Sequence, residues 1–96
     1  PGIELAKKLI SITAEPLQHV FFADSGSVSV EVAIKMAIQY WAANGQNNKQ
    51  KLLTTRGGYH GDTFGAMAVC DPENGMHSQF KDVLAGHYFV SKPSCD

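Results

Sequence analysis

Apolar residues recur early in the chain at helical spacing and then gather into short unbroken runs. Over residues 3–12, Leu5, Ala6, Leu9 and Ile10 fall on one face, with Glu4, Lys7, Lys8 and Ser11 opposite. That spacing predicts an amphipathic helix, with Pro1 tolerated at its start and Pro16 barring its continuation. Val20, Phe21, Phe22 and Ala23 form a continuous apolar run, the pattern of a strand buried on both faces in a parallel sheet. Asp24-Ser25-Gly26-Ser27 then breaks the strand and opens a long helix reaching to about Asn44. Its polar positions make one line, Glu31, Lys35 and Gln39, and the rest is apolar or small, so the helix is expected to be wrapped on most sides. Tyr40 and Trp41 are expected to serve that packing. Glu31 precedes Lys35 by four residues, the favourable order for a solvated ion pair of ~0.2–0.5 kcal/mol.

Asn44-Gly45 is a helix stop, residues 46–51 a polar loop, and residues 51–55 a second short strand. The order strand, long helix, strand implies a parallel pair joined by a right-handed crossover. After Arg56 come Gly57, Gly58, Gly61 and Gly65, with a short small-residue helix expected over about residues 63–69. From residue 70 onward the pattern reads as loop, with one turn or short helix near residues 78–84. The fold class is α/β, a partial parallel-sheet βαβ segment that needs more strands than the two visible.

Composition narrows the class. A chain of 96 residues is one domain at most, and its net charge of -1 lacks the basic stripe that a nucleic-acid partner requires. The apolar runs fall far short of the ~20 residues that cross a bilayer, and no signal peptide opens the chain. Neither membrane nor nucleic acid is expected as a partner, and the expected location is the cytoplasm. Two cysteines are too few for a disulfide framework; Cys70 is expected to be buried and Cys95 exposed and free. A chain starting at Pro1 without methionine and stopping at Asp96 also raises the expectation of a piece of something larger.

Two segments carry candidate chemistry. Ser25-Gly26-Ser27 stands at a strand-to-helix turn, where unpaired amides and the helix dipole favour an anion. Gly26 would admit close approach and the Ser27 hydroxyl would add a donor; the plainer reading is a serine N-cap. The glycine and lysine spacing of the dinucleotide and P-loop motifs is absent. The second segment is Gly57-Gly58-Tyr59-His60-Gly61-Asp62-Thr63. Tyr59 could stack on a planar heterocycle, or His60 and Asp62 could join His77 or Cys70 at a metal. Equally, the segment could be a connector whose polar groups bond their own backbone. His19 and His87 show no partner in the sequence, and no metal site is expected.

Together, ADSGSVSVEVAIKMAIQYW and TTRGGYHGDTFGAMAVCDPENGMHS resemble the class III, fold-type I aminotransferases, which use pyridoxal 5'-phosphate. The stretch from Gly65 to Ser78 resembles the branch that moves the amino group of S-adenosylmethionine to 8-amino-7-oxononanoate in biotin biosynthesis. The resemblance covers nearly the whole chain but only part of the cofactor-binding large domain of a longer enzyme. It implies that Gly26 and Ser27 hold the cofactor phosphate. Tyr59 would lie against the pyridine ring and line the substrate pocket, and Asp62 would stand near the substrate amino group. His60 receives no role. The lysine that bonds the cofactor and the acidic partner of its ring nitrogen belong to sequence beyond this chain. None of Lys7, Lys8, Lys35, Lys49, Lys51, Lys81 and Lys92 lies in a matching motif, and Arg56 does not match the arginine for a substrate carboxylate. No catalytic residue is therefore expected here, and the chain alone is expected to be inactive. Enzymes of this class work as dimers with sites at the subunit boundary, so a homo-oligomer is expected. The alternatives are a stand-alone binding module with this layout and a class III enzyme with another amino acceptor.

Overall fold

In the computed structural model, which describes residues 1–73 and 78–95, two longer helices precede a small sheet. The order is α1 (Gly2–Ile12), α2 (Gly26–Ala43), β1 (Leu53–Thr55), α3 (Phe64–Met67), a 3-10 turn at Ser78–Phe80 and β2 (Tyr88–Val90). Helix α1 half-buries Ala6, Leu9 and Ile10, the stripe that the spacing marks, and leaves Leu5 exposed. The Thr13 hydroxyl donates to the Leu9 carbonyl at 2.9 Å, taking up one of the orphan acceptors at the end of α1. Helix α2 starts where Ser25 Oγ accepts the Val28 amide at 3.2 Å. It stops where Asn44 Nδ2 donates to the Tyr40 carbonyl at 2.7 Å and Gly45 turns to φ +79°, a left-handed value that glycine adopts without strain.

The sheet departs from the sequence reading. Its two parallel strands are β1 and β2, with Leu53 opposite Tyr88, Thr54 opposite Phe89 and Thr55 opposite Val90. Residues 20–23 are no strand: Phe21 and Phe22 are exposed and Val20 and Ala23 only half-buried. A segment becomes a strand only when a neighbour pairs its backbone, and among the described residues none pairs with this run. Strand β2 leaves no periodic signal in the sequence, because Tyr88-Phe89-Val90 is only three residues long. The parallel pair expected between residues 20–23 and 51–55 does not form; the observed pair joins β1 to β2, with α3 rather than α2 in its connection.

The core is short, and apart from Met67 its side chains are small. Ala66, Met67, Ala68, Val69 and Cys70 are buried, with Asp71 beside them. Thr54 Oγ1 donates to the Val69 carbonyl at 3.3 Å, tying this strip to β1. Asp71 accepts the Gly57 amide at 2.6 Å, and its own amide donates to the Gly58 carbonyl at 3.0 Å. Those two bonds fix the turn by which the chain leaves the sheet. No residue of α2 is buried, so the wrapping expected of its apolar surface is not present among the described residues. Tyr40 is exposed and touches Trp41 edge-on at 5.2 Å, while Lys49 Nζ lies 3.4 Å above the Trp41 ring. The radius of gyration is 15.8 Å, against about 12.5 Å for a compact domain of this length.

His87, which seemed partnerless in the sequence, closes the start of the strand pair. Its Nδ1 accepts the Leu52 amide at 3.1 Å, beside the bond from the Tyr88 amide to the Leu52 carbonyl at 2.9 Å. Burial of the ring, and secondarily the Lys51 charge, holds His87 below the ordinary histidine range. Protonation therefore costs more in the folded chain than in the unfolded one, and it removes the acceptor for Leu52. The His87 contribution is intact at pH values above about 6.5 and declines as pH falls below that value. Melting temperatures of wild type and His87→Gln, compared across pH 5–8, should show a drop toward acid that the variant reduces.

Candidate functional site

The candidate site is an open cleft between the start of α2 and the loop that precedes α3. Ser25, Gly26, Ser27 and Val30 line one wall, and Tyr59, His60 and Gly61 the other. On the helix side, Ser25 caps the Val28 amide, while the Gly26 and Ser27 amides belong to the first turn, which has no intrahelical acceptor for them. Gly26 is exposed, and a Cβ built there would meet nothing within 4 Å. The backbone at that point is bare, with the positive end of an 18-residue helix behind it.

On the loop side, glycine controls the approach. Gly61 is buried at φ +137°, and a Cβ there would come within 2.8 Å of both Ser27 Cα and Ser27 Cβ. Only glycine allows the loop to rest directly on Ser27. The contact is sealed by the Asp62 amide, which donates to Ser27 Oγ at 3.0 Å. That bond uses Ser27 as an acceptor and leaves its hydroxyl hydrogen to donate into the cleft. Beneath the loop, Cys70 Sγ accepts the His60 amide at 3.2 Å and lies 3.2 Å from the Ala66 carbonyl and 3.5 Å from that of Gly61. The thiol is buried, as its position in the sequence indicates, but it also supports the loop. Cys95 is exposed and free.

Tyr59 projects from this loop with 66% of its surface exposed. Its hydroxyl is hydrogen-bonded to the Asp62 carboxylate, which, more than any other influence, raises the Tyr59 pKa above the ordinary tyrosine value. Gly26, Ser27 and Tyr59 therefore share one cleft, and Asp62 joins them through its amide on Ser27 and its carboxylate on Tyr59. His60 lines the same wall. No cluster of three potential metal ligands occurs among the described residues, and His77 lies outside them. The Met76 and His77 positions quoted for the family likeness lie outside them too.

Glu31 is the residue that sequence reasoning misassigned. Its Oε1 accepts from Thr63 Oγ1 at 2.5 Å and from the Ala66 amide at 2.9 Å, so it caps α3 from a neighbouring helix. The Thr63 hydrogen bond, above all, holds the Glu31 carboxyl below its ordinary range, against an opposing effect of burial. Lys35, its expected partner, contributes least of the influences that lower it. The signal available was spacing: Ser27 and Glu31 stand one helical turn apart, facing glycines at the same interval, 61 and 65.

A helix start faces a glycine-framed tyrosine beside a parallel strand pair, an arrangement of an α/β protein. The family model for aminotransferase class III matches residues 1–95, and the chain belongs to that family. It is 56% identical over 90 residues to the adenosylmethionine-8-amino-7-oxononanoate aminotransferase of Mycobacterium leprae, covering 94% of this chain and 21% of the relative. The crystal structure of the enzyme of that name from Methanocaldococcus jannaschii superposes with a TM-score of 0.87 at 43% identity, over 94% of this chain and 20% of the other. An amine transaminase from an uncultivated Pseudomonas species, in its PLP-bound form, superposes with a TM-score of 0.78 at 35% identity, covering 95% and 20%. The chain thus spans about a fifth of the length of the relatives it matches.

The Tyr59–Asp62 pair gives a direct test of the loop geometry. Asp62→Asn removes the charge and the strongest acceptor, so the Tyr59 phenol should titrate closer to about 10, the ordinary tyrosine value. Ultraviolet titration against a Tyr59→Phe control isolates that one phenol from Tyr40 and Tyr88.

Proposed function

We propose that these residues form the phosphate and ring cradle of a pyridoxal-phosphate-dependent aminotransferase, within the large domain of a longer protein. In that protein the amino group of S-adenosylmethionine passes to 8-amino-7-oxononanoate, the reaction that the names of the Mycobacterium leprae and Methanocaldococcus jannaschii relatives describe. The observation that carries the reading is the meeting of the bare Gly26 and Ser27 amides with Tyr59 in one cleft, locked by the Asp62-to-Ser27 bond.

The residues fit the cofactor. A phosphate needs amide donors, a hydroxyl donor and room for its oxygens, and the open space over Gly26 and the available Ser27 hydrogen supply them. An aromatic ring needs a flat apolar surface, which the exposed Tyr59 provides. Bound there, the cofactor would act as the electron sink of amino-group transfer. The work of this chain is placement: Ser27 and Gly26 anchor one end, and Tyr59 sets the ring plane. Asp62, holding the Tyr59 hydroxyl, puts a negative charge near the position of a substrate ammonium. Among the described residues no lysine lines the cleft, in keeping with the family resemblance, which puts the lysine that bonds the cofactor in the remainder of the whole protein. The exposed Phe21 and Phe22 are surfaces for that same remainder to cover.

The test uses the full-length protein. A hydrogen bond to a charged group contributes about 1.5–3 kcal/mol, so Ser27→Ala should weaken pyridoxal phosphate binding roughly tenfold to a hundredfold. Absorbance titration should show that loss for the phosphorylated cofactor and almost none for pyridoxal, which lacks the phosphate. Turnover with S-adenosylmethionine and 8-amino-7-oxononanoate should exceed turnover with pyruvate as acceptor; the reverse preference would point to an amine transaminase like the Pseudomonas neighbour.

A further inference from the structure

Ser27 and Glu31 occupy successive turns on one side of α2, and each meets the loop at a glycine. At Gly65 a Cβ would lie 2.6 Å from Glu31 Oε1 and 2.7 Å from Glu31 Cδ, as close a fit as that of Gly61 on Ser27. The donors alternate with the glycines along the loop: the Asp62 amide goes to Ser27, and Thr63 Oγ1 and the Ala66 amide go to Glu31. Two adjacent residues, Asp62 and Thr63, are thereby bound to α2 at points one turn apart. The Ser27 anchor is a single bond on an exposed amide, whereas Glu31 gathers two donors on one oxygen. A four-residue helix such as α3 has too few internal bonds to hold its own start in place.

We propose that Glu31 is a positioning residue for the candidate site, acting through Thr63 and Ala66 to fix Tyr59 and Asp62 relative to Ser27. This rests on the functional reading above for its consequence and on the loop geometry alone for its mechanism. Glu31 is not among the residues that line the cleft. What it supplies is an acceptor oxygen at a set reach, and the Lys35 charge on the same helix is incidental to it. Reach and charge make opposite demands on the replacement side chain. Glutamine keeps the oxygen at the same distance without the charge. Aspartate keeps the charge but withdraws the oxygen by one methylene, beyond hydrogen-bonding distance of Thr63 and Ala66.

Hydrogen exchange in the cofactor-free, full-length protein reads the effect without relying on activity. Glu31→Ala should raise exchange at the Asp62 and Ala66 amides about tenfold, with β1 and the interior of α2 unchanged. Glu31→Gln should stay near wild type and Glu31→Asp should behave like Glu31→Ala. In Glu31→Ala the Tyr59 phenol should also titrate closer to the ordinary value, as Asp62 moves away. Unchanged exchange in Glu31→Ala, or rescue by aspartate and not by glutamine, overturns the proposal. Should Glu31→Ala fail to fold, Thr63→Val removes the partner from the other side and should raise Asp62 exchange at least threefold; no rise overturns it equally. If Glu31→Ala frees the loop while Ser27→Ala leaves cofactor affinity untouched, the positioning stands and the functional reading falls. The opposite pair of results removes the positioning and leaves the reading.

Discussion

The structure depends on one close approach, that of a glycine-rich loop to the first two turns of α2. At Gly61 and again at Gly65 the backbone comes so near Ser27 and Glu31 that a side chain could not stand between them. Everything chemically interesting is placed by that contact. It turns an isolated helix start into one wall of a cleft, and it makes Tyr59 the opposite wall. The bonds that align the two elements are polar, running to an alcohol and a carboxylate. With five buried apolar residues among those described, there is little hydrophobic burial to spend on aligning two such elements. Directional bonds do it instead.

The loop is held from below as firmly as from the side. Cys70 gathers backbone groups of His60, Gly61 and Ala66 around one sulfur, and Asp71 fixes the turn at Gly57 and Gly58. Between these supports and α2, residues 57–66 have few backbone choices left. The groups left to face a ligand are the ring of Tyr59 and the hydroxyl hydrogen of Ser27, whose oxygen is already engaged by the loop. Support and function are divided atom by atom, since Ser27 and Asp62 take part in both.

Much of this was legible in the sequence, for reasons particular to each element. Helices α1 and α2 declare themselves by spacing and by their caps, Ser25 at one end of α2 and Asn44-Gly45 at the other. The two candidate segments were recognisable because glycines beside polar residues after a strand imply a backbone that must be approached closely. Local pattern could not show their meeting, which depends on a hydrogen bond across 35 positions, Asp62 to Ser27; only the family resemblance implied it. Glu31 was misread for a related reason. Helical spacing makes Lys35 the obvious partner, and nothing local reports that Thr63 offers a better one. The run at residues 20–23 failed differently: strand formation is a property of two segments, and periodicity describes only one.

The matched intervals on the two sides, 27 to 31 and 61 to 65, also act as a ruler. A helix turn has a fixed rise, so the loop must present its second glycine at a fixed distance from its first. One residue inserted between Gly61 and Gly65 would carry a side chain into Glu31 and move Thr63 off its acceptor. The polar loop at residues 46–50 bears no such measure and can lengthen at small entropic cost. Among lengthened or shortened versions of this segment, changes of length belong after α2, while the stretch from Gly61 to Gly65 keeps its count.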